Sequence, residues 1–162
     1  MWHQTPAVAD DPLGVYLLFD DKRRLARDLL EVRFMIEPQM ASMAAEHATD
    51  DQIICIKELC DESEHLAARD EDYSAADTAF HIAIAESCGN LVVPRLMGVL
   101  KASVPLFIDV TGKKLVEETI RTHRGVADAI AARNPTAAHD AMYLHLVYNR
   151  NMIAEGAQEQ SK

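Results

Sequence analysis

The sequence predicts an all-α protein, a single antiparallel bundle of about six to seven helices. Apolar residues recur at spacings of three and four along most of the chain, the stripe a helix needs to bury one face. Helix start and stop signals divide these stretches at Thr49-Asp50-Asp51, Gly89-Asn90 and Asn134-Pro135. Alternating apolar and polar runs bounded by turn pairs, which would mark strands, do not occur in the sequence, nor do repeats or low-complexity segments.

Residues 1–20 read as a linker and entry segment, 21–156 as the bundle and 157–162 as a tail. The first main helix, "RRLARDLLEVRFMIEPQMASMAAEHA", sets Leu25, Leu29, Val32, Ile36, Met40 and Met43 on one face, and Pro38 should bend it. The second, "ATDDQIICIKELCDESEHLAARD", opens on acceptors suited to free N–H groups and repeats Ile53, Ile56, Leu59 and Cys60. "DTAFHIAIAESCGN", residues 77–90, is the third, stopped by Gly89-Asn90, which tolerates left-handed backbone. A fourth should run from about Leu91 to Val110, with Pro94 in its first turn, a kink at Pro105 and an interruption at Gly112. A fifth covers about Lys114 to Arg133. Asn134 then caps a sixth that starts at Pro135 and reaches about Ala154, beyond which the chain should fray.

At 162 residues with 49% apolar content, the chain suits one domain with a real core. Its formal charge of −10 would repel a phosphate backbone, so this chain alone is not a nucleic-acid binder. The N-terminus lacks the basic flank and apolar block of a signal peptide, and no apolar run is long enough to span a bilayer, which makes the cytoplasm the expected location. Cys55, Cys60 and Cys88 form no C-x-x-C pair and read as reduced, small core residues. Phe80 and the methionines, among them Met35, Met40, Met43 and Met97, read as core fillers.

Four polar residues interrupt this apolar pattern. Asp77 and His81 stand at i and i+4, which stacks both side chains on one helix face where a single ion can meet them. The simpler reading of that pair is a surface ion pair worth a few tenths of a kcal/mol. His123, among Ile120, Val126, Ala127 and Ile130, and His145, between Leu144 and Leu146, also lie near core-facing stripes. Each by itself is readily a neutral core histidine. Together, three histidines and an Asp from three helices would each cost about 1–3 kcal/mol if uncompensated, and one shared cation would satisfy all four. His3, His47, His65 and His139 have no such apolar framing. Arg33 lies near the first helix's apolar stripe and needs an anion, either Glu37 one turn on or a carboxylate ligand gripped by the bidentate fork.

These residues resemble a known family. "DLLEVRFMIEPQMASMAAEHAT", with its E-x-R and I-E-P elements, "DTAFHIAIAESCGN", with D-x-x-F-H and a closing G-N, "THRGVADAIAARNPTAAHDAM" and a final His145, 22 residues past His123, are similar in order and spacing to the FCD effector domain of the FadR branch of GntR transcription regulators, over roughly residues 12–153. The resemblance implies that Asp77, His81, His123 and His145 ligate a divalent metal, zinc first and nickel or manganese next. It also implies that Arg33 and Asn90 contact a small carboxylic acid effector, a hydroxy or sugar acid. It further implies a homodimer, and operator binding only through a winged helix-turn-helix domain for which residues 1–20 are too few. One departure is Asn134, where many members carry Asp; it should serve as a cap. Two rival readings are a small metal-dependent hydrolase, for which only Glu117 and Glu118 precede His123 and no H-E-x-x-H occurs, and a metal-free dimerisation module. The expected class is a sensor, not an enzyme.

Overall fold

A computed structural model describes residues 22–98, 104, 106–107 and 116–159, with side chains of the last stretch described to residue 154. In chain order the helices are α1 (Lys22–His47), α2 (Asp50–Ala68), α3 (Ser74–Ser87), α4 (Val93–Leu96), α5 (Val116–Ala131) and α6 (Pro135–Glu159). No strand occurs among the described residues. The all-α expectation holds.

Local sequence sets most of the boundaries. Thr49 accepts from the Gln52 amide while Gln52 returns a bond to the Thr49 amide, a complete capping box at the start of α2. The end of α5 is a Schellman turn: Asn134 N donates to Ala129 O and Arg133 N to Ile130 O, with Arg133 left-handed at φ 52°. Asn134 then accepts from the Ala137 amide and caps α6, as its sequence position predicts. Gly89, at φ 74°, lets the chain leave α3.

Several expectations shift. α3 begins at Ser74, three residues before Asp77, because Asp72 accepts from the Ser74 amide and offers an earlier start. α6 continues through Glu159, past the expected end near Ala154. α1 runs through Pro38, which is buried. Of the expected fourth helix, α4 is four residues long with Pro94 in its first turn, and residues 104, 106 and 107 are helical; Pro105 and Gly112 lie outside the described residues. The entry segment 1–20 and residues 160–162 of the tail also lie outside them. Cys60 and Cys88 are buried, but Cys55 is exposed because it shares no face with Ile56 and Cys60, and Met35 likewise points outward from α1.

α1 packs on α6, α3 and α5; α2 packs on α3 and α5; α5 packs on α6. Two apolar clusters result. One gathers Met40, Ala44, Ile56, Phe80, Ile84, Val126, Ile130 and Met142; the other gathers Leu25, Leu29, Leu30, Leu106, Phe107, Leu146 and Ile153. Along α1 the residues between Leu30 of one cluster and Met40 of the other include buried Arg33 and Glu37, and along α6 His145 falls between Met142 and Leu146. A polar layer therefore separates the two cores.

Candidate metal centre

Four helices supply the polar residues of this layer. Arg33 and Glu37, at i and i+4, face inward from α1 in place of Val32 and Ile36, which are only half-buried. Asp77 sits in the first turn of α3, where the amide end of the helix favours a carboxylate, and His81 follows one turn later. His123 comes from α5 and His145 from α6. All six are at most 5% exposed.

The structure brings the three histidines together. One nitrogen from each ring lies within 4.8 Å of those of the other two. Ring centroids are 5.1 Å apart for His81 and His123, 5.3 Å for His81 and His145, and 4.6 Å for His123 and His145. Phe80 stacks on His123 at 4.5 Å and closes that side with apolar surface. Asp77 does not pair with His81 along the helix; its Oδ1 faces His123 Nε2 across to α5, 3.3 Å away.

Three atoms of this group have no hydrogen-bond partner: Asp77 Oδ1, His81 Nδ1 and His123 Nε2. His81 Nδ1 is 2.8 Å from Glu37 Oε2, within ion-pair distance when the ring is protonated. The separation of Asp77 Oδ1 and His123 Nε2 fits a shared ion well, since two ligands about 2.0–2.1 Å from a tetrahedral ion stand about 3.3 Å apart. Orphaned buried atoms this close are costly unless something satisfies both. The converging cluster itself is the three imidazoles, without Asp77, and three imidazoles suit late divalent ions.

Burial and neighbouring charges shift the titration of these groups. Burial, reinforced by the charges of His81 and Arg33, pushes the His123 imidazole well below its ordinary pKa; burial, His123, His81 and Arg33 do the same to His145, with Glu37 opposing. Both rings are thus neutral, the form that ligates metal. Burial raises the Asp77 carboxyl, and His81 and Arg33 only partly offset it. Burial also opposes ionisation of Glu37, but Arg33 and His81 overcome it and hold that carboxyl far below its usual range.

Arg33 takes the intramolecular partner. Its Nε lies 2.5 Å from Glu37 Oε1 and its Nη2 3.3 Å from Oε2, while Nη2 also reaches within 3.5 Å of His81 Nε2 and the guanidinium stands 5.0 Å from the Phe107 ring centre. Asn90 is not brought into the layer. It is exposed, and its side-chain oxygen accepts from the Val92 and Val93 amides ahead of α4. Glu37, Thr122 and Asn149 do belong to the layer and are not among the residues the sequence singled out as ligands. Glu37 was legible as the i+4 partner of Arg33, whereas Thr122 and Asn149 are recognisable only by what they touch on His145. The remaining described histidines lie apart: His47 beside Glu46, His65 beside Arg69 and His139 beside Asp140, all partly or fully exposed.

Comparison with known proteins places this chain in a family. The FCD domain profile matches residues 28–148. The chain is 31% identical over 153 residues to the HTH-type transcriptional regulator LutR of Bacillus subtilis, covering 88% of this chain and 68% of that protein. It is 32% identical over 146 residues to the putative L-lactate dehydrogenase operon regulatory protein of Escherichia coli, covering 83% and 54%. A solved structure, Streptococcus agalactiae GntR, superposes with a TM-score of 0.76 at 32% identity, covering 89% of this chain and 66% of that one. The chain thus spans between about half and two thirds of the length of these relatives. By sequence and by fold, it belongs to the FCD domain family of GntR-type transcriptional regulators.

Proposed function

We propose that this chain is the effector-sensing and dimerisation domain of a GntR/FadR-type regulator. In this reading Asp77, His81, His123 and His145 hold a divalent ion, zinc in preference to nickel or manganese, and a small hydroxy or sugar acid binds beside it. The observation that carries the reading is the buried convergence of His81, His123 and His145, with Asp77 Oδ1 and His123 Nε2 unpartnered and 3.3 Å apart. Bound there, the ion would neutralise Asp77 and offer open positions to a ligand's carboxylate or hydroxyl.

Arg33 supplies the second grip. An effector carboxylate reaching its guanidinium would compete with Glu37, so binding would loosen an α1 contact as it draws α1 toward α3, α5 and α6. Such a ligand favours one arrangement of the bundle only by its difference in affinity between the two arrangements. DNA binding would then respond through a separate domain, with two copies paired. Exposed Leu91, Val92 and Leu96 around α4 support a surface for the second copy. Relatives whose names refer to lactate dehydrogenase and galactonate operons support hydroxy and sugar acids as the effector class.

The deciding experiment is metal analysis of protein purified without nickel chromatography, followed by thermal-shift measurements with L-lactate, glycolate and D-galactonate. The wild type should carry close to one ion per chain, and a true effector should stabilise it by mass action, by about 2.7 kcal/mol at one hundred times Kd, and so raise its Tm. Arg33→Ala and His145→Ala should lose that response. A metal-free wild type with a Tm indifferent to chelation and zinc would reject the reading.

A further inference from the structure

We infer that Thr122 is a positioning residue whose hydroxyl holds His145 in the tautomer protonated at Nδ1, leaving Nε2 as the one ring nitrogen with a lone pair for an ion. That role serves the metal site proposed above, while the tautomer itself follows from hydrogen bonds alone.

Thr122 is buried on α5, immediately before His123. Its Oγ1 lies 2.7 Å from Glu118 O, 3.1 Å from Thr119 O and 3.1 Å from His145 Nδ1. A hydroxyl has one hydrogen and two lone pairs, and a carbonyl oxygen only accepts. Two oxygens 2.7 Å apart need a hydrogen between them, so the hydroxyl donates back into its own helix. Only lone pairs are then left to face His145. Nδ1 must bring the hydrogen, and a neutral imidazole has just one, so Nε2 keeps its lone pair.

A second contact gives the same answer from the other side of the ring. Asn149 Nδ2 donates to His145 O at 3.1 Å, which identifies that atom as the amide nitrogen, and the same nitrogen stands 3.4 Å from His145 Nε2. An amide nitrogen is a donor only, so the ring atom opposite it is an acceptor, through the lone pair that an ion would take over from this 3.4 Å contact. Thr122 thus couples α5 and α6 so that one helix supplies His123 and also orients the ligand of its neighbour. Outer-sphere partners of this kind fix ring orientation and ligand basicity.

The tautomer can be read without metal. After dialysis against EDTA, long-range ¹⁵N–¹H correlation of the imidazoles, with His145 assigned by the signals lost in His145→Gln, should show the Nδ1–H pattern. An Nε2–H pattern overturns the inference. Zinc affinity by chelator competition should fall about 10–100-fold in Thr122→Val and stay close to wild type in Thr122→Ser, which restores the hydroxyl. Equal affinity in Thr122→Val and wild type also overturns it. Should Thr122→Val not fold, the wild-type spectrum decides. A wild type that takes up no zinc rejects the metal site, and the Nδ1–H measurement still decides the role of Thr122, so the two failures are separable.

Discussion

Arg33 and Glu37 show how a single residue's value depends on its partner. The pair is almost fully buried, so its Coulomb gain is set against a large desolvation cost, and removing one member strands the other. Arg33→Met should therefore destabilise the protein by about 3–5 kcal/mol, while the double variant Arg33→Met/Glu37→Leu should recover most of that loss in urea unfolding. Additive losses in the double variant would show that the two charges do not compensate each other. His123 and His145 make a prediction of a different kind. Their folded-state pKa values are depressed, so below about pH 6.5 the unfolded chain takes up protons that the folded chain refuses. Stability contributed by these rings is present above that pH and lost as the pH falls. Asp77, with its raised pKa, works in the opposite sense, but it is one group against two. The urea midpoint of EDTA-treated protein should therefore drop between pH 7.5 and 5.5, and zinc at pH 7.5 should raise it.

At the scale of the element, helix ends carry much of the definition. The Thr49 capping box satisfies amides that α2 cannot bond internally, and Thr49→Ala should cost about 1 kcal/mol in urea unfolding without changing zinc uptake. Gly89 is needed for two reasons at the end of α3. Its φ of 74° disfavours any side chain, and a Cβ there would stand 3.0 Å from both Cβ and Cγ of His47 at the end of α1. Gly89→Ala should lower stability by roughly 1–3 kcal/mol, measured the same way. Because α3 carries Asp77 and His81, a shift of its C-terminal anchor should also weaken zinc binding, unlike the Thr49 variant.

Across the whole molecule, the proposed metal site depends on three helices keeping their register. Phe80 joins the apolar core to the polar layer, fully buried among core residues on one side and stacked on His123 on the other. Phe80→Ala should cost about 3–5 kcal/mol and weaken zinc binding as well, since His123 would lose the surface that holds its ring. A stability loss with unchanged zinc affinity would show that the ring is held by other contacts. The acidic charge of the chain is compatible with this arrangement, because operator contact is assigned to another domain in the proposed function.

The sequence by itself determined that the protein is a helical bundle, where its first two helices begin and end and its last begins, and which histidines stand apart from the rest. These are local matters: periodicity, caps and the apolar neighbours of His81, His123 and His145 act within a few residues of chain. The outward turn of Met35 and Cys55, and the half-burial of Val32 and Ile36, were not legible, because a helix with apolar residues on more than one face is oriented by what it packs against. Asn90 shows the same limit, since its side chain goes to the backbone ahead of α4 and not to the buried layer. Only the tertiary structure decided that Asp77 faces His123 and not His81, that Arg33 is held by Glu37, and that Thr122 meets His145. Pairings between helices depend on axial register and rotation, and those are fixed by the summed packing of the whole bundle.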